Sequence, residues 1–241
     1  MARQARLVFP GVPMYVVVKG GRDKLVFPND EAKLTYLAWL RSAASQYRLV
    51  VHAYVVLPNE FHCLVTSPDA TALSRTMQSL GRRYTQYFHK AHQNQIKTSG
   101  SIWDGRYRSA PVDPQNYFLI VQRYIESLPF EKGLVSKLED YSLSSYKIHI
   151  GKEANYSLND GASFWNLGNT PFERQMNWRV FVDEGNTKED VEVITNSLSS
   201  QTLIGVADFI LDGQVFVKAA QKNRGRPKKL QDLTTLSPIN K

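Results

Sequence analysis

The sequence is poor in whatever would fix a chain covalently or hold it in a bilayer. It has one cysteine, Cys63, in 241 residues, so no internal disulfide can form; set in an apolar run, the thiol reads as a small hydrophobe. No stretch approaches the roughly 20 apolar residues of a membrane span. The opening MARQARLVFPGVPMY has charges but neither the apolar core nor the cleavage site of a secretory signal. A cytoplasmic protein with no membrane partner is expected. Internal repeats are absent. Acid is scarce where base is dense: between Arg75 and Arg108, the cations Arg82, Arg83, Lys90, Lys97 and Arg106 are set against Asp104 alone.

What is present is enough apolar material for a proper core, 42% hydrophobic with 11% aromatic, under a net charge of +8. Length and composition fit one domain with an appendage, or two small ones. The basic stretch also carries Tyr84, Tyr87, Phe88, Trp103 and Tyr107. Cations neutralise phosphates and aromatic faces stack on unpaired bases, so the mixture suits single-stranded or hairpin nucleic acid. The plain alternative is a solvated basic helix face lying over core aromatics.

MYVVVKG is a β-branched run ending at Gly20 and Gly21, a strand leading into a loop. Asn29 or Asp30 can cap a helix whose Leu34, Tyr36, Leu37 and Leu40 form an apolar stripe through about Ala44. YRLVVHAYVVL and FHCLVTS read as an antiparallel pair turning at Pro58 and Asn59. A second helix spans 70 to 92, YRSAPV is a short strand, and Asp113-Pro114 opens a third helix. The order predicts an α+β protein: a ferredoxin-like βαββαβ unit with a four-stranded antiparallel sheet, then an extra helix. From 151 to 170 the pattern is an irregular connection. Helical patches follow at 171–183 and 187–199, and LIGVADFILDGQVFVKAAQ suggests a short helix with a partner. The expected organisation is 1–150, a mainly helical extension 151–221, and a basic tail 222–241.

LPNEFHCLV raises the chemical question. Side chains alternate along a strand, so Glu60 and His62 share one face while Phe61 and Cys63 take the other. An acid and an imidazole two residues apart outline a two-ligand metal site, or a polar strand face.

Read together, HAYVVLPNEFHCLV, MQSLGRRYTQYFHKAH, SIWDGRYRSA and QRYIESLPFEKGLV resemble the REP-associated tyrosine transposases, relatives of the single-tyrosine HUH transposases of bacterial insertion sequences. The resemblance spans roughly residues 1 to 150. It implies a nuclease acting on hairpin-bearing single-stranded DNA, in the bacterial nucleoid, through a tyrosine nucleophile and a divalent cation, Mg²⁺ or Mn²⁺. By motif the nucleophile maps to Tyr124, forming a 5′-phosphotyrosine, and the cation site to positions 60, 62 and 128.

The chain departs from the family there. Glu60 stands where the first histidine of the HUH pattern belongs, and Leu128 where a Gln or Asn usually follows the tyrosine. Either the site is altered, or DNA binding persists without transposition. Arg82, Arg83, Arg106 and Arg108 are assigned to phosphate contact, with Lys19 and Arg22 beside the Gly20-Gly21 loop and Arg3 and Arg6 at the start. RGRPKK, with Arg226 at its centre, resembles an AT-hook for the minor groove. Relatives carrying a carboxy-terminal extension imply a monomer.

Overall fold

The computed structural model describes residues 8–21, 25–92, 101–154 and 157–205, and the backbone of 209–211 and 214–216. Strand β1 (Pro13–Lys19) is followed by helix α1 (Asp30–Tyr47), strands β2 (Val50–Val56) and β3 (Glu60–Thr66), helix α2 (Ala72–Ala91) and strand β4 (Arg108–Pro111). The four strands form one antiparallel sheet in the order β2-β3-β1-β4. This is the expected ferredoxin-like arrangement, in which β3 is inserted between the two strands that α1 connects.

Each element has a local cause. Asn29 accepts from the Ala32 N–H at 2.9 Å and caps α1, while Arg48, left-handed at φ 55°, ends it. The α1 stripe is shifted from the expected one. Tyr36, Leu37, Leu40, Ala43 and Ala44 are buried, but Leu34 is 58% exposed, because at 100° per residue it lies about 130° around the helix from the centre of the buried face. On α2, Leu73, Met77, Leu80, Tyr84 and Phe88 face inward as the spacing predicts. The two helices pack together over one face of the sheet, where Tyr36 meets Phe61 edge-on with ring centres 5.0 Å apart.

Helix α3 (Phe118–Glu131) covers the opposite face, against β2 and β3. It begins later than expected. Asp113 Oδ1 accepts from the N–H groups of Gln115 and Asn116, closing a turn that competes with helix and delays its first residue to Phe118. Its end is fixed by Gly133, at φ 66°: Gly133 N–H donates to Phe130 O and Leu134 N–H to Pro129 O, a Schellman closure. With helices on both sides, β1, β2 and β3 are buried almost throughout.

A 3-10 turn (Leu138–Asp140) and short helices α4 (Tyr146–His149) and α5 (Ala162–Trp165) lead to α6 (Pro171–Asp183), closed at its start by a Thr170–Glu173 capping box, and α7 (Lys188–Ser200). The expected irregular connection thus contains one helical turn. Trp178 and Val182 of α6 form a small core with Tyr146, Ile150 and Phe164, and Leu119 of α3 packs against both this core and the main one. The chain then returns to the sheet, Ile204 N–H donating to Pro111 O beside β4. Across 203–221, where a short helix with a partner is expected, the described residues instead form paired strands β5 (Phe209–Leu211) and β6 (Gln214–Phe216). Among the described residues no helix is long and apolar enough to cross a membrane.

Candidate active site

Register, not sequence proximity, assembles the site. Lys19 of β1 lies opposite Glu60 of β3, and Val17 opposite His62. Alternation therefore puts Tyr15, Val17 and Lys19 on the same sheet face as Glu60 and His62, beneath α3. The Tyr15 hydroxyl is 2.6 Å from His62 Nδ1, with the two rings nearly parallel. Tyr124, half-buried on α3, meets Tyr15 edge-on with ring centres 6.1 Å apart at 89°. The tyrosine, imidazole and carboxylate singled out in the sequence thus converge on one place.

Electrostatics assign their protonation. Burial pulls His62 below its ordinary value against the opposing charge of Glu60, so the ring is neutral near pH 7. With its hydrogen on Nε2, Nδ1 accepts from Tyr15 and the N–H points toward Glu60 Oε2, 3.4 Å away. That contact is not aligned as a hydrogen bond, which leaves Nε2 without one among the described residues. Burial raises the Glu60 carboxyl, but the facing His62 ring and the Lys132 ammonium outweigh it and hold Glu60 well below the usual carboxylate range. Burial, then the charges of Glu60 and Glu131, raises the Tyr124 phenol; Tyr15 is raised too, by burial first. Both tyrosines are neutral phenols at neutral pH.

The carboxylate is already taken by cations of the chain itself. Lys132 Nζ lies 2.6 Å from Glu60 Oε1, and Lys19 Nζ 3.4 Å from Oε2. Leu128 is 5% exposed and belongs to the apolar core, so it offers no donor. The donors left for a resident divalent cation are one twice-paired carboxylate and one imidazole nitrogen, and no cluster of three or more His, Cys, Asp or Glu side chains occurs among the described residues. Mg²⁺ is held mostly through oxygen ligands in a near-octahedral shell. This donor set does not fit it.

Lys132 escaped the sequence reading, although the spacing 124, 128, 132 lays it on the Tyr124 side of α3. Tyr15 escaped too, hidden in a β-branched run. So did a buried polar cluster on the far flank of α3: Glu126 accepts from Ser145 Oγ at 2.5 Å and from Trp178 Nε1 at 3.0 Å, and its Oε1 faces His149 Nδ1 at 2.6 Å.

The assigned cations do not form one belt. Lys19 is in the site, and exposed Arg108, opposite Val17, is on the same sheet face. Arg82 and Arg83 are on the outer side of α2, with the sheet between them and Tyr124; Arg83 stacks on Trp39 at 4.8 Å, and nearby Arg75 on Tyr47 at 4.7 Å. Arg106 lines a cavity of about 440 Å³ between α2 and the Trp103–Tyr107 loop. Trp103 donates from Nε1 to Thr85 and packs among Phe27, Tyr36 and Tyr84. Arg3, Arg6, Arg22 and Arg226 lie outside the described residues.

Residues 15–128 match the family model described as transposase, IS200-like, so the kinship suspected from the motifs is shown for that segment. Solved structures similar to the chain include one described as a REP-associated tyrosine transposase bound to a REP hairpin (18% identity, TM-score 0.49, covering 68% of this chain and 96% of that one). Another is a putative transposase from Deinococcus radiodurans R1 (21% identity, TM-score 0.35, covering 53% of this chain and 97% of that one). No match is found among curated proteins.

Proposed function

We propose that this protein binds hairpin-bearing single-stranded DNA and cleaves and rejoins it through Tyr124. The observation that carries the reading is the convergence of Tyr124 with Tyr15, His62 and Glu60 on the sheet face under α3. In the forward step the Tyr124 oxygen attacks phosphorus, a P–O(Tyr) bond forms and the P–O3′ bond breaks. The products are a 5′-phosphotyrosine and a 3′-hydroxyl, the phenol proton being balanced by the one the leaving oxygen gains. Reversal by a 3′-hydroxyl rejoins a strand. Lys19 and Arg108 line the approach to this face, and Arg82, Arg83 and Arg106 serve duplex or flank on the α2 side.

Mg²⁺ or Mn²⁺ at Glu60 and His62 is what the resemblance implies, but the twice-paired Glu60 carboxylate and a single imidazole nitrogen do not fit it. In this reading 1–150 carries the DNA chemistry, 151–221 braces the tyrosine helix, and 222–241 adds a basic tail. A monomer is favoured, because α3 lies over the sheet of its own chain. The second reading, hairpin binding without chemistry, is favoured by Leu128. The test is incubation with labelled hairpin oligonucleotides bearing randomised single-stranded flanks, followed by denaturing electrophoresis. A covalent adduct present in the native protein and absent in Tyr124→Phe is expected. Tight binding with no adduct, with or without metal, leaves only the second reading.

A further inference from the structure

We propose that the Lys132 ammonium, seated on Glu60 beside His62 and seconded by Lys19, stands in the place of the divalent cation and does its electrostatic work, so that strand cleavage by Tyr124 needs no metal. The inference rests on the tyrosine reading above and concerns what faces the phosphate there.

The carboxylate at position 60 makes sense on these terms. A neutral histidine there would offer an ammonium one uncharged acceptor nitrogen, whereas a carboxylate offers two acceptor oxygens and the countercharge for an ammonium with its three donors. Glu60 is 4% exposed, and a carboxylate buried in a sheet requires a countercharge; Lys132 at 2.6 Å and Lys19 at 3.4 Å supply it. One carboxylate with two ammoniums carries a net charge of +1, the same as one carboxylate with a divalent ion. Leu128 follows as well, because a site with no metal has no use for a third ligand, and the position is free to pack in the core.

The placement of Lys132 is built into the backbone. It is the residue that ends α3, its N–H donating to Leu128 O at 3.0 Å, and Gly133 turns the chain immediately after it. A cation at a helix C-terminus is favoured by the helix dipole. Its side chain is 43% exposed, so it is accessible from solvent, the side from which a phosphate arrives. Positive side chains clamp the oxygens of a transferring phosphoryl group as metal ions do.

The experiment compares adduct formation on the randomised-flank hairpin pool in excess EDTA, in Mg²⁺ and in Mn²⁺, with a separate Mn²⁺ titration followed by electron paramagnetic resonance. The adduct in EDTA is expected within about threefold of that in Mg²⁺, and Lys132→Met is expected to lower it roughly a hundredfold while Lys132→Arg retains most of it. An adduct that requires added metal overturns the inference and leaves Tyr124 as nucleophile. If no adduct forms under any condition, the tyrosine reading fails and the Mn²⁺ titration decides the lysine question by itself. Mn²⁺ bound by the native protein and lost in Glu60→Gln overturns it. No binding by the native protein, with binding gained in Lys19→Met/Lys132→Met, supports it.

Discussion

Trp178 Nε1 donates to Glu126 Oε2 at 3.0 Å, and through that bond a helix outside the family-matched segment holds the helix that carries Tyr124. Glu126 is fully buried, and its other oxygen serves Ser145 and His149. Replacing it by leucine strands the three partners without a carboxylate in the interior. Glu126→Leu is expected to cost about 3–5 kcal/mol in urea unfolding, against about 2–3 kcal/mol for Trp178→Phe, which removes one hydrogen bond and leaves part of the buried indole's volume unfilled.

The same cluster sets a pH dependence. Burial lowers the His149 value, but the charge and hydrogen bond of Glu126, then Asp160, overcome it and raise it above the ordinary 6.5. In the window above 6.5 the folded chain binds the proton and the unfolded chain does not. The stabilisation is therefore complete below that window and is lost as pH rises through the folded value. His52 behaves oppositely. Burial, opposed by its bond to Asn159 O and reinforced by the charge of His149, lowers it to about 4, and a neutral ring satisfies both Asn159 O and Thr66 Oγ1. Its contribution is present above 6.5 and lost as pH falls toward 4. Thermal unfolding should show a maximum near the crossover of these windows. His149→Gln should flatten the alkaline side and His52→Gln the acidic side.

Leu128→Asn restores a family-type residue at the third ligand position, and its cost is set by burial. Placing an amide in the main core is expected to lose about 2–4 kcal/mol, read from the urea midpoint. It should bring no Mn²⁺ binding while Lys19 and Lys132 remain. Stability unchanged by the substitution would mean that position 128 reaches solvent.

DNA affinity should fall steeply with salt, because phosphate neutralisation releases counterions. Arg82→Ala is expected to reduce the slope of log K against log salt by about 0.7 if it contacts single-stranded flank, with little effect on folding. Arg83→Ala should add a loss of about 0.5–1 kcal/mol in stability, because its guanidinium covers the Trp39 ring. Filter binding across a salt series, beside thermal melts, separates the two effects.

The sheet was legible because its signals are local. β-branched runs mark β1 to β3, Asn29 marks the start of α1, and a period of two puts Glu60 with His62. Tyr124 is singled out by motif, since helical spacing alone would read it as a packing residue. What escaped depends on pairing across the chain. Nothing near Tyr15 announces that register will set its hydroxyl against His62, and nothing near Lys132 that a carboxylate from β3 waits beneath it. Asp113-Pro114 misled for another reason: a side chain able to cap a helix closed a turn instead.

The family-model match ends at residue 128, but the packing around α3 does not. Arg123, whose guanidinium stacks on Phe181 and donates to its carbonyl, and Glu126, tied to Trp178, both lie inside the matched segment and depend on residues beyond it. A fragment cut after the matched segment would carry a buried acid and a buried base with their counterparts removed. The matched segment and the packed unit therefore do not coincide in this chain: α6 braces α3 from outside the match.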